Sequence, residues 1–167
     1  MSPHSPGRIS RRELSSVPDD GRLVLGQSAG MTLTATARAI PGTLRQDVEI
    51  DGGHHIVTDE PQAIGGGGSG PSPHELLPAA LAACISTQLV MYGRTKGWDL
   101  GAVSVDVVYD HRSTPRRFEI EIGLGADLTS VQLARLEAVA AACPVRRAIE
   151  GGAEFTERIG AQAHSAV

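Results

Sequence analysis

Aromatic side chains make up only 3% of the 167 residues, with one Trp, two Tyr and two Phe. A core must therefore be assembled from small and branched aliphatic side chains brought close together, and interiors of that kind often extend across a dimer interface. Cysteine is also scarce: two in a chain of this length rule out a disulfide framework and leave Cys84 and Cys143 as either inert packing or chemistry. A formal net charge of −4 gives no electrostatic reason to expect nucleic acid or an anionic membrane as a partner. Long apolar runs are missing as well. The stretch around Leu76 to Ile85 is too short to span a bilayer, and the N-terminus lacks the apolar core of a signal peptide, which predicts a cytoplasmic protein with no membrane partner.

Residues 1–21 mix Ser, Pro, Arg and Asp without periodicity and are expected to form a disordered extension, leaving 22–167 as a single domain. From Arg22 to Ala39 the sequence is β-compatible, with Leu23, Val24 and Leu25 followed by the Thr-rich Thr32 to Thr36. Leu44, Val48 and Ile50 fall on one side of an extended segment, Asp51-Gly52-Gly53 offers a turn, and His55 to Thr58 returns, which predicts a hairpin. His54 and His55 are assigned to its turn. Adjacent histidines on a strand would face opposite ways and could not readily share an ion, so no metal site is expected. The Gly65 to Gly70 run lacks the Lys-Ser or Lys-Thr that completes a phosphate-binding loop.

Ser72-Pro73-His74-Glu75 carries the strongest local signal: a cap, a proline at the first helical position and the acid of a capping box. The helix it opens is apolar on nearly every side to Ile85, ends near Lys96-Gly97, and should bend in its first turns at Pro78. Alternation of Val103, Val105, Val107 and Tyr109, and then of Phe118, Ile120, Ile122 and Leu124, predicts a second hairpin turning at His111 to Arg116. Thr129-x-x-Gln132 caps another helix with Leu133, Leu136, Ala140 and Cys143 on one face, interrupted by Pro144. A short helical turn to Glu150 and a closing strand over residues 153–159 complete the pattern. This order is α+β, and because one sheet cannot bury a helix that is apolar all round, an obligate dimer is expected.

Pro71-Ser72-Pro73-His74-Glu75-Leu76-Leu77 leading to Ala82-Ala83-Cys84, with Cys143-Pro144-Val145 far downstream, resembles the OsmC/Ohr family. Gly42-Thr43-Leu44-Arg45, Asp59-Glu60-Pro61 and Arg94-Thr95-Lys96-Gly97-Trp98 are similar to its OsmC-like branch, and the likeness covers about residues 43–159. The resemblance implies antiparallel sheets around a buried central helix in an intertwined homodimer. It also implies reduction of organic hydroperoxides through a cysteine pair recycled by dithiols, in some members lipoyl-bearing ones. Cys84 would be the peroxidatic residue and Cys143 the resolving one, with Arg45 stabilising thiolate and peroxide and Glu75 orienting Arg45. No cofactor is implied. One departure is of register: the hydroperoxide reductases place their glutamate where this chain has His74, so His74 is a further candidate partner.

Only a thiolate attacks an O–O bond, and a free cysteine with a pKa of about 8.5 is a few per cent ionised at neutral pH. Cys84 lies too far along its helix to feel the dipole strongly, so a cation from elsewhere is required. Arg45 suits that role, although strand alternation points it away from Leu44, Val48 and Ile50; Glu75 equally suits a purely capping role. Two other readings stay open: a non-enzymatic small-molecule-binding module in which the cysteines merely pack, and a redox sensor whose disulfide changes partner binding.

Overall fold

The computed structural model describes residues 32–51 and 53–160. The N-terminal extension, the Leu23–Leu25 stretch and Gly52 lie outside the described residues. β1 (Ala35–Ala39), β2 (Gln46–Ile50) and β3 (His54–Thr58) form an antiparallel sheet in that order. Register places Ala37, Val48 and Ile56 abreast on one face. The other face carries ion pairs, Arg38 to Glu49 at 3.1 Å and His55 to Asp47 at 3.3 Å. Three expectations shift. Leu44 sits in the turn before β2 rather than on the strand, His54 and His55 open β3 rather than forming its turn, and β1 begins only at Ala35. This sheet makes at most slight contact with the helices, and Val48 and Ile56 on its apolar face are only half-buried.

Between β3 and the first helix the glycine-rich segment is held by a single carboxylate. Asp59, 1% exposed, accepts hydrogen bonds from the backbone N–H of Glu60, Gly67 and Ser69 and from the Ser69 hydroxyl, at 2.9–3.1 Å. A Cβ on Gly66 would fall 1.8 Å from the Glu60 carbonyl oxygen, and one on Gly70 2.5 Å from that of Val57. Glycine is thus required here because backbone approaches backbone. The Ser69 backbone bond, more than any other contact, holds the Asp59 carboxyl below the usual carboxylate range. A depressed folded pKa contributes stability above the unfolded value near ~3.9 that is lost as pH falls through the folded one. Asp59→Asn should therefore lower the Tm by roughly 5 °C at neutral pH and flatten the acid limb of a Tm-against-pH curve. An unchanged limb would contradict this role.

α1 (Pro73–Lys96) follows, capped by Ser72, stopped at Gly97 (φ 68°), and continuous through Pro78. By length and composition its 24 residues could cross a membrane, a longer apolar element than the sequence suggested. Its stripe of Leu81, Ile85, Leu89 and Tyr92 is instead the centre of the core. Each such aliphatic contributes about 1.5–3 kcal/mol by leaving water. Burial covers this one side only; Leu77, Ala80 and Ala83 are exposed.

β4 (Val103–Asp110) and β5 (Arg117–Leu124) pair antiparallel, and Val103, Val105, Val107, Phe118, Ile120 and Ile122 pack against the α1 core. α2 (Ser130–Ala141) opens on the Thr129 and Gln132 capping box, with the Thr129 N–H donating to the Gln132 side chain at 2.9 Å. Its buried face is Leu136, Val139 and Ala140, leading to Cys143, while Leu133, a turn earlier, is 42% exposed. α3 (Pro144–Gly151) ends the regular structure. The expected strand over residues 153–159 is absent: the segment is exposed, Phe155 at 84%. A strand needs a paired neighbour, and no described strand pairs with this segment.

Candidate active site

Cys84 lies in the middle of α1, partly buried against the core. Cys143 is fully buried at the joint between α2 and α3, where it is the N-cap of α3 with ψ 126°. The proline after it excludes helical geometry there, which breaks the helix and turns the residue inward. Although 59 positions apart in sequence, the two thiols lie close enough for Cys84 to act on the ionisation of Cys143. Burial, foremost, pushes the Cys143 thiol above its ordinary pKa, and the neighbouring Cys84 adds to the rise.

A raised thiol pKa has a sign that can be tested. Between the unfolded value near ~8.5 and the higher folded one, the folded chain keeps a proton that the unfolded chain has released. Stability of the reduced protein should thus fall as pH climbs above about 8.5, and Cys143→Ser should remove part of that slope. Urea midpoints between pH 7 and 10 in the presence of reductant measure it, and parallel curves for the two proteins would refute it.

The other expected residues are placed as follows. Arg45 is half-buried just before β2, its amide donating to Thr43 Oγ1 at 3.1 Å and its carbonyl accepting from Ile40 at 3.0 Å. Its Nε is buried with no hydrogen-bond partner among the described residues. Glu75 accepts from the Ser72 N–H at 2.7 Å and the Ser72 hydroxyl at 3.1 Å. These bonds, led by the backbone one, hold its carboxyl below the usual range. Within the chain, then, Glu75 acts as the capping acid, and no described contact joins it to Arg45. His74 is exposed, its ring 5.5 Å from that of His111 on the β4–β5 turn.

Two residues had no role assigned from the sequence. Asp59, whose signal was an acid ahead of the glycine run, fixes the approach to α1. Gln88, 3% exposed, interrupts the apolar stripe one turn after Cys84. Beside these lies an open groove of about 1170 Å³, walled by Leu77, Leu81, Phe118, Ile120, Val145 and Ile149. Leu81 and Val145 are near neighbours in sequence of Cys84 and Cys143, but neither cysteine lines the groove.

Among the described residues no cluster of His, Cys, Asp or Glu could hold a metal ion. A pair of thiols in contact, one reachable and one buried and protonated, can pass between dithiol and disulfide by a two-electron step.

The chain matches the family model described as OsmC-like protein over residues 66–158. No curated protein matches it. Among solved structures, one from Psychrobacter arcticus, described as an osmotic stress induced and detoxification response protein, shares 28% identity at a TM-score of 0.60, covering 71% of this chain and 88% of its own. An organic hydroperoxide resistance protein from Legionella pneumophila shares 22% identity at 0.52, over 72% and 90% of the two chains. One from Vibrio cholerae, with captopril in one of its active sites, shares 22% at 0.54, over 75% and 89%. The match of the family model over more than half of the chain, on an α+β scaffold of the same fold, means that this protein belongs to the OsmC-like family.

Proposed function

We propose that the protein is a cysteine-based peroxidase that reduces organic hydroperoxides. The observation that carries this reading is the contact between Cys84 and the fully buried Cys143. Relatives of the same fold named for organic hydroperoxide resistance support it.

In the first step the Cys84 thiolate attacks the terminal oxygen of the hydroperoxide. The O–O bond breaks, the sulfur becomes a sulfenic acid, and the departing alkoxide takes up a proton to give the alcohol. Cys143 then displaces water from that sulfur, closing a Cys84–Cys143 disulfide, and an external dithiol such as a lipoyl group restores both thiols. Arg45 is the cation that stabilises thiolate and peroxide, with its buried Nε awaiting an acceptor. The uncovered faces of the β1–β3 sheet and of α1 suit a second copy of the chain, making a homodimer in which Arg45 meets Glu75 or His74 near the reactive sulfur. A reducing cytoplasm fits a pair that must return to the dithiol after each turnover.

One equivalent of cumene hydroperoxide should consume both thiols of the reduced protein and leave one intramolecular disulfide, visible as the loss of two hydrogen atoms in the intact mass. Counting two free thiols per chain after that treatment would end the proposal. A disulfide that forms but is not turned over by dihydrolipoate would mark the protein as a sensor instead.

A further inference from the structure

Gln88 stands out among the buried polar groups. It is 3% exposed, and its Oε1 has no hydrogen-bond partner among the described residues. An unpaired buried acceptor costs free energy that an aliphatic residue of similar size would not, and the neighbours on the stripe, Ile85 and Leu89, are of that kind. Gln88 follows Cys84 by four residues on α1, so both share one side of the helix. Helical side chains lean towards the N-terminus and cover the preceding turn, and the turn preceding Gln88 is the one that carries Cys84.

We infer that Gln88 is a further catalytic residue of the peroxidase reaction, its Oε1 accepting a hydrogen bond from the hydroxyl group that passes from the hydroperoxide to the Cys84 sulfur. This rests on the peroxidase reading. In the hydroperoxide that group is the terminal O–H. The sulfur electron pair forms the S–O bond as the O–O bond breaks, the alkoxide leaves, and the same O–H becomes that of the sulfenic acid. The transferred oxygen keeps its hydrogen throughout, so one fixed acceptor serves substrate, transition state and product without gaining or losing a proton. The acceptor is specific to oxidants that deliver a hydroxyl, and an alkylating agent that attacks the same sulfur has no use for it.

That difference supplies the test. Full-length wild type, Gln88→Leu and Gln88→Met are reduced and mixed with cumene hydroperoxide, and separately with iodoacetamide, following Cys84 by mass spectrometry. Gln88→Leu should slow oxidation roughly ten- to a hundredfold, leave alkylation within about twofold, and keep or raise the Tm because an unpaired buried acceptor is gone. Gln88→Met supplies the same comparison should the leucine variant fold poorly. Oxidation at the wild-type rate in both variants, or an equal slowing of oxidation and alkylation, overturns the role of Gln88 while leaving the peroxidase reading intact. A wild type that alkylates normally yet ignores the hydroperoxide overturns both.

Discussion

Cys84→Ser should abolish hydroperoxide reduction, a fall of roughly a thousandfold or more in turnover, while Cys143→Ser should still react once. A serine hydroxyl is not ionised at neutral pH and its oxygen cannot be carried through the sulfenic stage, so nothing replaces the sulfur at position 84. At position 143 the loss is of a different kind. The first step needs only Cys84, and without the buried neighbour the sulfenic acid persists, to be trapped by dimedone as a single adduct on Cys84. Steady-state rates with dihydrolipoate, together with the mass of the trapped species, separate the two variants. Equal residual activity in both, or turnover surviving Cys84→Ser, would mean that the thiol pair is packing rather than chemistry.

The largest structural loss is expected from Ile85→Ala, about 3–5 kcal/mol in urea unfolding. Ile85 is completely buried, in the same cluster as Leu81, Leu89, Leu136 and Val139. Truncating it forfeits both the transfer of the lost methyl and methylene groups and the contacts around the cavity left behind. Val131→Ala on the exposed face of α2, where the side chain is 77% exposed, should change stability by no more than about 0.5 kcal/mol. A similar cost for both would mean that the stripe on α1 is not the core.

The elements that carried their own local chemistry were legible in the sequence. α1 and α2 begin where their caps sit, and the β4–β5 hairpin follows its alternation residue by residue. The stop at Pro144 was equally clear, because the geometry before a proline is a matter of two residues. What depended on distant partners was not legible. The segment around Phe155 alternates like a strand but meets no edge, and Leu133 repeats at helical spacing yet stays exposed at the start of α2. In the site, the meeting of Cys84 and Cys143 could be expected only by resemblance, since nothing local links residues 59 apart. The resting place of Glu75 on Ser72 was open because one carboxylate satisfies either a cap or an arginine, and only the fold decides between them.

The glycines ahead of α1 have a consequence for how this protein tolerates change. A run of that composition invites trimming or padding as though it were slack tether, but here it behaves as a bracket clamped around one acid. Adding or deleting a residue in it would not be absorbed at the surface. It would swing the leading end of the helix that bears Cys84, so length variation in this protein belongs at the β4–β5 tip and beyond α3, and not in the stretch that looks loosest.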